Sequence, residues 1–139
     1  MPLSKRDKAI IRDLNKFRVM DRDSIAEIHF SGLKNPITAA NSVLLRLLRD
    51  GQIQRSTSFQ PFEYFGVESQ IKIQSQKIGH FLAIMNVYKE MRKLGRLEKF
   101  LVEPKFGKKG VAEPDIFAMY RNTPFLWEVG VSNFQLLDY

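Results

Sequence analysis

Asn35-Pro36-Ile37-Thr38-Ala39-Ala40-Asn41-Ser42-Val43-Leu44-Leu45-Arg46-Leu47-Leu48-Arg49-Asp50-Gly51-Gln52-Ile53 is the stretch on which the fold turns. Asn followed by Pro is a helix start signal: Pro fills the first helical position, where its missing N–H costs nothing. Arg49-Asp50-Gly51 is the matching stop, with glycine free to take the left-handed conformation that closes a helix. A helix over about 36–50 follows. Ile37, Ala40, Leu44, Leu47 and Leu48 share one helical row and are expected to face a core. That row leaves Thr38, Asn41, Ser42, Leu45, Arg46 and Arg49 pointing outward. Immediately after Gly51 the period changes from helical to alternating. Residues 52–57 and 62–67 read as two short strands of a hairpin around the polar loop Ser58 to Pro61.

Upstream, residues 4–19 set Ile10, Ile11, Leu14 and Phe17 at helical spacing behind Ser4, a residue suited to cap a helix N-terminus. Asp21 or Asp23 can cap a second, shorter helix over 23–30, which Ser31-Gly32 ends. Short helix, break, second helix and hairpin resembles the winged helix-turn-helix family, and residues 1–68 form the domain that carries the likeness. The resemblance implies a module that presents its helix over 36–50 to the DNA major groove and its hairpin loop to the backbone. On that reading Thr38, Asn41, Ser42, Arg46 and Arg49 approach base edges and phosphates, with Asn suited to adenine and Arg to guanine or phosphate. Arg55, Ser56 and Thr57 supply phosphate donors from the wing. The competing readings are a plain three-helix domain and a protein-binding module.

Downstream, residues 69–94 read as a long helix whose apolar stripe includes Ile71, Ile78, Phe81, Met85, Tyr88 and Met91, ended by Gly95. This helix is the expected homodimer surface. Leu97–Val102, Ile116–Tyr120 and Phe125–Val131 then form short β-type runs separated by Pro and Gly. The fold class is α+β, with residues 69–139 as a second unit. Ser132 to Tyr139 reads as the start of a further helix that the sequence given does not finish.

Acidic residues in that second unit suggest a different chemistry. Glu113-Pro114-Asp115 precedes one strand, and Glu128 sits inside Phe125-Leu126-Trp127-Glu128-Val129, where a buried charge needs a partner or a cation. Residues 77–131 resemble the core of the restriction-type nucleases. That resemblance implies Asp115 and Glu128 as holders of Mg²⁺, with Glu90 on the preceding helix as a third acid. It departs where the family has a catalytic Lys, since Gly130 stands two residues after Glu128. Catalysis is therefore the alternative and not the leading expectation. The other reading is a degenerate domain without metal, or a sheet in which Glu128 pairs with Arg121 or a Lys. Both halves taken together, with His80-Phe81-Leu82-Ala83-Ile84 between them, resemble the replication-relaxation family of plasmid and mobile-element proteins. That likeness implies DNA binding in replication or transcription control.

The sequence given has 139 residues, which allows one domain or two very small ones. Its 44% hydrophobic content, with 11 Phe, supports a packed core. The lack of cysteine excludes a disulfide framework, a thiolate metal site and a Cys nucleophile. His29 and His80 are expected to be packed or hydrogen-bonded. The aromatic residues at 59, 62, 64 and 65 are expected to fill the wing core in preference to stacking on bases. The start of the sequence lacks the apolar run of a signal peptide and no segment is long enough to span a membrane, so a cytoplasmic protein is expected. The net charge of +7 splits as +3 over residues 1–69 and +4 over 70–139, with a local excess of five positive charges over 89–109 that could contact phosphates.

Overall fold

The computed structural model describes residues 2–58, 60–69, 77–105, 113–129 and 134–136. It is an α+β protein that divides into two compact units, residues 1–81 and 82–139.

In the first unit α1 (Lys5–Phe17), β1 (Val19–Asp21), α2 (Arg22–His29), α3 (Pro36–Arg49), β2 (Ile53–Ser56) and β3 (Glu63–Gly66) follow one another. The start of α1 is closed by a capping box, in which the Ser4 side chain accepts from the Asp7 amide at 3.1 Å and the Asp7 carboxylate accepts from the Ser4 amide at 3.0 Å. Of the two candidate caps for α2 it is Asp21 that acts, accepting from the Ser24 amide at 2.7 Å. Asn35 makes no side-chain cap for α3, so Pro36 at its first turn is the start signal that operates.

The end of α3 is a Schellman closure. Gly51, at φ +73°, donates to the Leu48 carbonyl at 3.1 Å and Gln52 donates to Leu47 at 2.9 Å, which delivers the chain directly into β2. The hairpin pairs β2 with β3 in antiparallel register from Ile53↔Gly66 to Ser56↔Glu63. Sequence periodicity misses β1, whose three residues pair with β3 from Val19↔Phe65 to Asp21↔Glu63, making β3 the central strand in the order β1-β3-β2. The core gathers Ile10, Leu14 and Phe17 of α1, Ile25 of α2, and Leu44 and Leu47 of α3, each at most 1% exposed. Ile37, expected in that core, is 38% exposed. It stands in the first turn of α3, one turn short of Ala40 where the buried row begins.

Helix α4 (Lys77–Lys93) crosses the boundary between the units. Of the expected helix over 69–94, residues 70–76 lie outside the described residues. In the second unit β4 (Leu97–Val102), β5 (Ile116–Tyr120), β6 (Thr123–Val129) and β7 (Phe134–Leu136) form an antiparallel sheet in sequential order. Tyr88 of α4 meets Phe100 of β4 edge to face at 5.0 Å. The turn between β5 and β6 is the two-residue loop Arg121-Asn122, both at positive φ (51° and 62°), the handedness that matches strand twist in a tight hairpin. Pro124 stands beside this turn, outside the Trp127–Val129 stretch that β7 covers, so its missing N–H removes no bond to β7.

The reading of residues 132–139 as the start of a helix is corrected at Phe134–Leu136, the rest of that span lying outside the described residues. Phe134–Leu136 is a strand, in register from Trp127↔Leu136 to Val129↔Phe134. The edge of β6 offers a ready row of backbone partners, and Phe134–Leu136 takes them up.

Candidate nucleic-acid interface

Helix α3 carries two arginines and no acid. Its exposed arc is made by Thr38, Asn41, Ser42, Leu45 and Arg49, and Lys34 precedes it in the loop. Four of the five expected α3 contacts therefore lie together on one exposed face. The fifth, Arg46, is partly covered and committed within the fold: its guanidinium donates to Asp7 Oδ1 at 2.8 Å. Asp7 is 2% exposed, and the Arg46 guanidinium holds its carboxyl below the usual carboxylate range against the opposing effect of burial. Asp7 thus caps α1 and grips α3 through the same carboxylate, an arrangement that periodicity cannot reveal because the partners are 39 residues apart.

The three expected wing contacts do not share one environment. Arg55 is half-buried with its guanidinium 5.1 Å from the Phe62 ring centre. Thr57 is exposed. Ser56, expected to donate to phosphate, is 2% exposed and turned into the sheet opposite Glu63. The strand period of two sets Ser56 on the face opposite Ile53, so its cover comes from tertiary packing where it pairs with Glu63 of the central strand, which the sequence pattern does not report. Tyr64 and Phe65 are core residues, as expected, and Phe59 lies outside the described residues.

Glu63, which the sequence reading did not single out, is 4% exposed on the central strand. Among the described residues its Oε1 has no hydrogen-bond partner, and burial together with the Asp21 carboxylate across the sheet pushes its pKa up. His29 bonds Asp13 Oδ2 through Nε2 at 2.8 Å, which ties α2 to α1. His80 sets its ring edge-on to Phe81 at 5.1 Å.

In the second unit the acidic residues are arranged differently from the expected pair. Glu128 is exposed, so the premise that it is a buried charge in need of a partner is corrected. The neighbouring apolar residues Leu126 and Val129 are covered, which is what made the run read as buried throughout. Asp115 is half-buried and its Oδ2 accepts from the Val129 amide at 2.7 Å. A carboxylate that does lie near it is that of Glu103, which was not anticipated. Oxygens of Asp115 and Glu103 lie within 4.8 Å of each other, and the Glu103 amide donates to the Asp115 carbonyl at 2.7 Å. Positive φ at Glu103 (47°) turns the chain at the end of β4 and produces the approach, so the sequence signal was a strand end and not a motif. Two carboxylates brought this near each other can share a cation. Glu90 lies on an exposed part of α4 and pairs with Lys93 at 3.3 Å.

Within the basic run 89–109, Lys105 bridges Glu113 at 2.6 Å, while Lys108 and Lys109 lie outside the described residues. Among the described residues no helix is long and apolar enough to cross a membrane. Set against known proteins, the chain matches no family model, no curated protein and no solved structure.

Proposed function

We propose that this chain is a sequence-specific double-stranded DNA-binding protein. In this reading the first unit works as a winged helix-turn-helix, α3 reads the major groove and the β2–β3 hairpin serves as the wing. The observation that carries the reading is the exposed arc of α3, where Thr38, Asn41 and Ser42 are small polar groups, Arg49 is an exposed cation and the helix carries no acid. Such a face can approach base edges closely without repelling phosphate. The strand register adds support, since three antiparallel strands hold the hairpin directly after α3. As part of the same proposal, the activity is assigned to replication or transcription control of a plasmid, phage or integrative element, on the resemblance read from the sequence alone. A homodimer would supply the two-fold symmetry that many duplex readers use.

The test is selection of bound sequences from a random duplex pool, followed by gel shifts on the selected duplex. Asn41→Ala is expected to weaken binding by about 1–3 kcal/mol and to relax selectivity at one position. Arg49→Ala is expected to weaken all duplexes alike and to lower the salt dependence. No enrichment from the pool, together with no shift at low salt, refutes the reading in favour of a protein-binding module. Sedimentation of the free protein and of the complex decides the homodimer.

A second reading, Mg²⁺-dependent nuclease activity, is favoured by one observation, the approach of the Asp115 and Glu103 carboxylates. Those two residues would hold the ion, with Glu128 on the neighbouring strand, and the ion would polarise a phosphate and activate water. Plasmid cleavage with Mg²⁺ or Mn²⁺ that disappears in Asp115→Ala would establish it, and an intact plasmid would exclude it.

A further inference from the structure

Leu45 is 55% exposed, the most exposed large apolar side chain of α3, and it stands in the middle of the polar arc, between Asn41 one turn before it and Arg49 one turn after. Ile37, 38% exposed, lies on the same i, i+4, i+8 row through Asn41. A protein surface of apolar chemistry fits this face poorly, because covering Leu45 would also bury Thr38, Asn41, Ser42 and the Arg49 charge without partners. The major groove offers each of them a partner: base-edge acceptors and donors for the polar groups, phosphate for Arg49, and the thymine methyl as its apolar element. The absence of any acid on α3 agrees with a polyanionic occupant.

We propose that Leu45 reads the methyl group of a thymine, making it a specificity-determining residue of α3; the inference rests on the DNA-binding reading above and deepens it. Four helical residues advance about 6 Å, or roughly two base-pair steps. The recognised half-site therefore carries a thymine about two steps from the adenine that Asn41 contacts. Leu45 supplies no hydrogen bond, so its whole contribution is removal of the methyl and the leucine from water.

The experiment replaces each thymine of the pool-selected duplex, in turn, by deoxyuridine, which lacks only the methyl. For the wild-type protein one position per half-site is expected to lose about fourfold in affinity, the transfer value of one methyl-sized group. In Leu45→Ala that same position is expected to tolerate deoxyuridine without further loss, while Asn41→Ala retains the sensitivity. Duplex binding that is indifferent to deoxyuridine everywhere overturns the inference and leaves the DNA-binding reading standing. A deoxyuridine penalty that persists in Leu45→Ala overturns it as well, as does a Leu45→Ala protein that changes its sedimentation but not its duplex affinity, which would assign Leu45 to a protein contact. Failure of the wild-type protein to select any duplex overturns both together. Leu45 is exposed, so the variant retains the fold, and circular dichroism checks this.

Discussion

Replacing Glu63 by Gln should make the first unit more stable at neutral pH, and the size of the gain follows from its surroundings. Glu63 sits on β3 between β1 and β2, with Asp21 directly across one side and Ser56 across the other. Its Oε1 is buried without a partner among the described residues. A buried polar atom left unpaired costs about 1–3 kcal/mol, and like charges directly opposite in a sheet add about 0.2–1 kcal/mol. Gln keeps the volume and removes the charge, but its own amide must be accommodated. The net expectation for Glu63→Gln is a gain of about 1–2 kcal/mol at pH 7. A unit of this size responds by about 4–8 °C in melting midpoint per kcal/mol. The pH dependence gives the sharper test. Because burial raises the folded pKa of Glu63, its favourable contribution is fully present below the ordinary value of 4.5 and is lost as pH rises through the folded pKa. Wild type and Glu63→Gln should therefore converge as pH falls towards 4.5 and separate above it. Thermal unfolding followed by circular dichroism from pH 4 to pH 8 measures this. A variant no more stable than wild type at pH 7, or a gain that is the same at both ends of the range, refutes the reasoning.

The other perturbations follow from the caps and turns. Asp7 has a depressed folded pKa, so its stabilisation is present above the ordinary value of 3.8 and lost as pH falls through the folded value; Asp7→Asn should flatten the acid limb of the wild-type denaturation curve below that pH, and an unchanged limb would assign acid lability elsewhere. Gly51→Ala, forced to keep φ +73°, should cost about 1–2 kcal/mol in urea unfolding, and a neutral result would mean that the end of α3 can re-close in another geometry. At the β5–β6 turn, Arg121→Asn combined with Asn122→Gly supplies the residues that positive φ favours and should stabilise the second unit by about 1 kcal/mol, read as a higher denaturant midpoint.

Much of this architecture could be read from residue order alone. Ser4, Pro36, Gly51 and Gly95 punctuate the chain by local rules, and local rules fix helix ends within a residue or two. Three features lay beyond them. β1 is three residues joined to α2 without a turn, and β7 is equally short; both are strands because β3 and β6 provide partners, and such pairing is long-range. Glu128 was read as buried from its neighbours, but a strand with unequally covered faces does not treat adjacent residues alike. Of the candidate site, the α3 arc was legible because helical period sorts its faces, whereas the burial of Ser56, the commitment of Arg46 to Asp7 and the approach of Glu103 to Asp115 depend on tertiary geometry.

The junction Asp50-Gly51-Gln52 has a mechanical consequence. Two hydrogen bonds, from Gly51 to Leu48 and from Gln52 to Leu47, clamp the start of the hairpin to the last turn of α3 and leave no slack between them. Helix and hairpin therefore behave as a single ruler with a set distance between its two marks. One residue inserted after Gly51 would displace Gln52 from its bond to Leu47 and advance β2 by half its period, turning Ile53 out and Gln54 in. Any surface that must meet both elements at once is measured by that distance, so the spacing between them is itself a recognition element, set by three residues that need touch no partner.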